Sequence, residues 1–158
     1  MHKIIFSVLL MFFSSNVFAF ELWQGLEFDA NSKQIMKKFP NANIDTSPRF
    51  LAFGFDKKLI MNNYMVFDND FDVIFLMKND NLKKVQIETK PKYPNIMWSK
   101  AFNALSLKYG EPYENYYKTH GLPSADWSHN GVKITLLNNS GKIYIVYDAE
   151  LADNSSKL

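Results

Sequence analysis

The chain of 158 residues carries 18 Lys and Arg against 16 Asp and Glu, a formal charge of +2, with 47% hydrophobic and 16% aromatic residues and no cysteine. A balance this close to neutral argues against a nucleic-acid partner, because no long Lys/Arg run exists to neutralise phosphates; Lys37-Lys38, Lys57-Lys58 and Lys83-Lys84 read as solvated turns or edges. Without cysteine nothing is stapled, and the fold must stand on a hydrophobic core rich in Phe.

Residues 1–19 read as an export signal. Lys3 supplies the positive start, Ile4 to Phe13 an apolar run too short to serve as a bilayer anchor, and Val17-Phe18-Ala19 the cleavage pattern, which makes Phe20 the expected new N-terminus. The expected location is periplasmic or secreted. No Cys near the cleavage site is there to take a lipid, so no stable membrane anchor is expected after cleavage. The mature chain of about 139 residues, 158 less 19, suits one domain, and loss of Lys3 lowers the formal charge to about +1. Ser156-Lys157-Leu158 also spells a peroxisomal address, but an export signal acts first, and the tail 153–158 reads as polar and disordered.

After the stretch ELWQGLEFDA, Asn31 and Gln34 have the spacing of a capping box, with Ala30 and Ile35 placed as a hydrophobic staple. Ile35, Met36 and Phe39 form the expected buried side of a short helix that Pro40 ends. Strand signals follow at Arg49 to Phe55, Leu59 to Phe67, Phe71 to Lys78 and Leu82 to Thr89, rich in β-branched and aromatic residues and separated by polar turn clusters, as in an antiparallel meander. In Phe71 to Lys78 the alternating set Phe71, Val73, Phe75, Met77 faces Ile74 and Leu76, so this strand is expected to be covered on both faces in its middle.

Pro91 and Pro94 lead into the longest helical pattern. Trp98, Ala101, Phe102, Leu105 and Tyr109 fall on one stripe, with Asn95 as the expected cap, Lys108 against the negative end of the helix dipole, Gly110 at the left-handed turn and Pro112 as the stop. Beyond Glu114 to Lys118 and a loop through His120, the segments Ala125 to His129 and Val132 to Leu137 flank Asn130-Gly131, the strongest hairpin signal of the chain. Lys142 to Asp148 closes the series after Asn138 to Gly141.

Helix then strands, twice, predicts an α+β domain over 20–152: two degenerate α-β-β-β units forming one antiparallel sheet with both helices on one face. A plain α+β domain without internal duplication is the alternative.

GLEFDANSKQIMKKFP resembles the pattern of many small exported bacterial proteins, in which Gly-x-x-Phe-Gly-Met-Ser/Thr caps a short helix ending in Phe-Pro. ALSLKYGEP resembles their second helix ending in Lys-Tyr-Gly-x-Pro, which a Trp-containing strand and a closing hairpin like Asp126-Trp127 through Tyr147 follow. The layout of this largely uncharacterised family is similar to the β-lactamase inhibitor protein and to the small lipoprotein of the outer-membrane barrel assembly machine. The resemblance implies the fold. The chain departs from it with Asp29 where the pattern has Gly, and lacks the lipidated Cys of the assembly lipoprotein.

Chemistry-bearing patterns are sparse. Asp68, Asp70 and Asp72 alternate like the first ligands of a calcium loop, but Val73 and Asn79 stand where that loop needs Gly and Glu, so no metal is expected. His120 and His129 are the mature histidines, nine residues apart and without Cys, which is not a zinc spacing. Asp126-Trp127-Ser128-His129 holds the residue types of a hydrolase triad, yet neighbours on a strand point to opposite sides and no Gly-x-Ser-x-Gly turn is present. No catalytic residue and no cofactor is expected.

The aromatics Tyr113, Tyr116, Tyr117, Trp127 and Tyr144 are the binding candidates. The alternation that buries Val132, Ile134, Leu136, Ile143 and Ile145 turns Lys133, Thr135 and Tyr144 to the other face, and large rigid rings anchor protein interfaces. Alternatively these rings complete a second small core, and Trp127 equally fits the main one. The expected function is an exported, non-enzymatic protein-binding module, in its most specific form an inhibitor or immunity protein against an envelope or secreted enzyme, with a protein partner of unknown identity. An envelope assembly or structural factor is the alternative, and a small hydrolase the third.

Overall fold

The computed structural model describes residues 21–45, 54–89, 94–115 and 123–149. The described chain opens with a hairpin, β1 (Glu21–Trp23) and β2 (Leu26–Glu27), turned by Gln24 and Gly25, both at positive φ. Asp29, which stands where the resembling pattern has Gly, also sits at positive φ, 66°, a left-handed position that glycine fills without steric cost. Helix α1 (Ser32–Lys38) then starts on the expected capping box: Gln34 N donates to Asn31 Oδ1 at 3.0 Å, and Asn31 N donates to Gln34 Oε1 at 2.7 Å. Ala30 and Ile35 are both buried, and Phe39 ends the helix with its ring in a mutual cluster with Trp23 and Phe75.

The remaining elements are β3 (Asn43–Ile44), β4 (Lys57–Val66), β5 (Asn69–Lys78), β6 (Asn81–Thr89), α2 (Pro94–Tyr109), β7 (Glu114–Asn115), β8 (Ser124–His129), β9 (Val132–Asn139) and β10 (Lys142–Asp148). Each long hairpin turns on two residues at positive φ, Phe67-Asp68, Asn79-Asp80, Asn130-Gly131 and Ser140-Gly141, the handedness that matches the twist of the flanking strands. Phe67 is a bulky residue for such a position; its ring packs edge-on against Phe71, and its carbonyl accepts from Asn69 Nδ2 at 2.7 Å.

These strands form one antiparallel sheet of eight in the order β3-β4-β5-β6-β10-β9-β8-β7. The order is a palindrome of roles. Each half is a helix, a two-residue strand at the rim and a three-stranded meander, and the last strands of the two meanders, β6 and β10, pair in the middle. This α+β architecture is the expected one, with a short rim strand added to each half. Residues 49–53 of the first expected strand lie outside the described residues, Gly54 and Phe55 are not strand, and β3 takes the place beside β4. Beyond Ile60, β4 has no outer neighbour among the described residues, and a bulge at Asn62-Asn63, with Asn63 at φ 57°, interrupts its pairing with β5.

Helix α2 begins at Pro94 itself, one residue before the expected cap, as proline's fixed φ and missing N–H allow at a first helical position. Its buried line is Met97, Ala101 and Leu105, while Trp98, Phe102 and Tyr109 pack against the core from the flank. The small Ala101 lets the helix approach the sheet, and the rings fill the wedge left at its side. Both helices and the β1–β2 hairpin cover one face, made of Phe71, Val73, Phe75, Val85, Ile87, Ile145, Ile134 and their neighbours. We call this the closed face and its reverse the open face.

Candidate functional site

Cross-strand register lays out the open face in rows. One row runs Lys58, Leu76, Lys84, Asp148, Lys133, Ser128; the next Ile60, Ile74, Gln86, Val146, Thr135, Asp126; a third Asp72, Glu88, Tyr144, Leu137, Ser124. The described residues place no helix on it. Ion pairs stitch neighbouring strands together: Lys84 with Asp148, Lys133 with Asp126 at 3.1 Å, and Lys142 with Glu88 at 3.4 Å, while Lys58 reaches Asp45 at 2.7 Å. Between them Tyr144, Leu137, Val146, Leu76 and Ile60 are half-buried, and Ile74 is only 2% exposed, which bears out the expectation that the middle of β5 is covered on both faces.

The binding candidates separate in this geometry. Tyr144 lies on the open face beside Glu88 and Leu137, with Lys133 and Thr135 on the same side, as alternation required. Tyr113 is 55% exposed just before rim strand β7, and its N–H donates to Asp126 O. Tyr116 and Tyr117 lie outside the described residues, as does His120. Trp127 is a correction: it is 1% exposed and belongs to the core. It pairs with Ile134 on the closed face, its ring meets Phe102, and its Nε1 donates to Gly110 O at 2.8 Å, tying β8 to the end of α2. The signal was available, since a two-residue Asn130-Gly131 turn puts His129 opposite Val132 and therefore Trp127 opposite Ile134.

Hydrolase residue types in Asp126 to His129 do not assemble. Asp126 is on the open face, paired with Thr135 and bound by Lys133, whereas His129 is on the closed side, its ring tilted against that of Tyr109 and hydrogen-bonded through Nε2 to Asn130. Asp68 occupies a turn while Asp70 and Asp72 project from β5, and among the described residues no three His, Asp or Glu side chains converge as metal ligands. Two buried carboxylate oxygens of the open face, Asp72 Oδ1 and Asp126 Oδ1, have no hydrogen-bond partner among the described residues. Asp72 stands directly opposite Glu88, a like-charge pair that costs stability in a sheet.

Two clefts open elsewhere. One of about 410 Å³ lies at the β5–β6 turn, between Phe28, Phe55, Lys83 and Lys84; these lysines are already engaged by Asp29 and Asp148. A tighter one of about 240 Å³ lies on the closed side, between the β1–β2 turn, the end of α2 and the β8–β9 turn. At its wall burial, then the neighbouring Tyr109 and Tyr64, pushes the Tyr147 phenol well above its ordinary range. No sequence motif marks either cleft, because each is built from four separate segments.

No described helix is long and apolar enough to cross a membrane. No family model, curated protein or solved structure matches the chain.

Proposed function

We propose that the chain is an exported, non-enzymatic binding module that engages another protein through the open face, and that its target is an envelope or secreted enzyme which it inhibits or neutralises. The observation that carries this reading is the make-up of that face: half-buried Tyr144, Leu137 and Val146 set among lysines that each already have an acidic partner. Paired lysines offer little to phosphate, while an aromatic and aliphatic centre with a polar surround has the anatomy of a protein interface. Asp72, opposite a Glu88 already engaged by Lys142 and Gln86, is the carboxylate of this face that favours a partner bringing a cation. Export rests on the signal pattern of residues 1–19, and the inhibitor-like role on the resemblance in layout.

Affinity capture from an envelope extract tests the proposal, with wild type beside Tyr144→Arg and a control, Leu107→Arg, on the outer side of α2 where the residue is 91% exposed. A stoichiometric partner retained by Leu107→Arg and lost with Tyr144→Arg is the expected result. Equal capture by all three chains would remove the open face from consideration.

A further inference from the structure

The 240 Å³ cleft on the closed side has a composition that packing alone does not call for. Its floor is apolar, from Leu22, Trp23, Val132 and Ile134. On its rim stand two opposite charges on different elements, Glu21 on the β1–β2 hairpin and Lys108 on the last turn of α2, which line the same space without forming an ion pair. Lys108 Nζ instead rests 4.9 Å from the centroid of the Tyr109 ring. Glu21 Oε1 accepts the Gly25 N–H at 2.7 Å, which fixes the carboxylate in place. His129 adds a further polar group to the lining, its ring 5.3 Å from that of Tyr109.

Opposite charges that line one cleft above apolar residues without pairing with each other are complementary to a ligand that carries both charges itself. We infer that this cleft binds a free apolar α-amino acid, with the ammonium toward Glu21, the carboxylate toward Lys108 and His129, and the side chain on Trp23, Val132 and Ile134. The volume is below the range of drug-sized sites and suits a ligand of this size; a dinucleotide would not enter. Charge-assisted hydrogen bonds at both ends supply orientation, and the floor supplies the apolar contact. This site is independent of the open face and needs no protein partner, so its failure would leave the proposed function untouched.

Titration of the full purified chain by NMR, following the Trp23 indole and His129 ring signals, tests it. The probes are L-leucine, N-acetyl-L-leucine, which lacks the ammonium, and L-leucinamide, which lacks the carboxylate. Saturable shifts with leucine, at least tenfold weaker with either analogue, are expected. Glu21→Gln keeps an acceptor for Gly25 and should abolish the preference for leucine over its N-acetyl form, while Lys108→Gln should abolish the preference over leucinamide. Both residues are exposed, and an otherwise unchanged amide spectrum establishes that each variant is folded. No saturable shift with leucine, equal shifts with all three probes, or variants that keep both preferences would overturn the inference.

Discussion

The two faces of the sheet are made from the same strands, residue by residue in alternation, and they solve opposite problems. On the closed face Phe71, Phe75, Leu136 and Ile143 are wholly buried under helices and the β1–β2 hairpin. On the open face most side chains are half-buried, with ion pairs between neighbouring strands and Ile74 as the one buried hydrophobic residue there among the described ones. The lesson is that the closed face holds the fold by area, which is insensitive to salt, whereas the open face holds it by register, which is not.

The comparison breaks hardest at Trp127. Trp127→Ala empties the contact with Phe102 and leaves Gly110 O without its donor, and the expected loss is about 3–5 kcal/mol by urea denaturation, as for large-to-small changes in cores. A cost under about 1 kcal/mol would place this ring at the surface after all.

Alkaline titration sharpens the comparison from the same side. The folded-state pKa of Tyr147 lies above its ordinary value of 10.0, so below pH 10 both states hold the proton and stability is intact. Above that pH the unfolded chain releases the proton while the folded one keeps it, and stability should fall with a limiting slope of about 1.4 kcal/mol per pH unit. Denaturation curves between pH 9 and roughly 11.5 should show the fall in wild type and a shallower one in Tyr147→Phe.

Smaller effects separate the cap from the open face. Asn31→Ala removes the side-chain acceptor of Gln34 N and leaves only the backbone half of the capping box, at an expected cost of about 1 kcal/mol in thermal or urea unfolding. A double-mutant cycle on Lys142 and Glu88, 3.4 Å apart with Lys142 more than a third exposed, should return a coupling of about 0.5 kcal/mol that fades in 1 M salt. A coupling as large as the Trp127 effect would contradict the division between the faces.

Much of the fold was legible because its signals are local. The capping box at Asn31, the strands from Leu59 to Thr89 and the Asn130-Gly131 hairpin each follow from residues within a few positions of one another. The pairing of β6 with β10 does not, since it joins segments with α2 and two hairpins between them, and nothing in Leu82 to Thr89 names its second neighbour. Rim strands of two residues, β3 and β7, are too short to carry a period. Met97 was missed because the rings at 98 and 102 dominate the helical pattern, although it is the residue beneath them that is buried. For the site, Tyr144 was placed by alternation, and Trp127 needed the hairpin register as well. The cleft of Glu21, Lys108, His129 and Tyr147 was invisible in the sequence, being a meeting of four chain segments.

The bulge at Asn62-Asn63 bears on how this protein keeps company with itself. Beyond Ile60 the outer side of β4, which includes the exposed Met65, has no strand neighbour among the described residues, and an unpaired rim is one on which a second chain can add a strand and then a third. Two asparagines, one of them held left-handed, bend that rim out of line and spoil its repeat, so that a straight incoming strand meets it over a short length only. Deleting one Asn would leave the fold's core contacts intact and straighten the rim. What would then suffer is storage: solutions of the deletion variant are expected to grow thioflavin-positive fibres under conditions in which the parent stays clear.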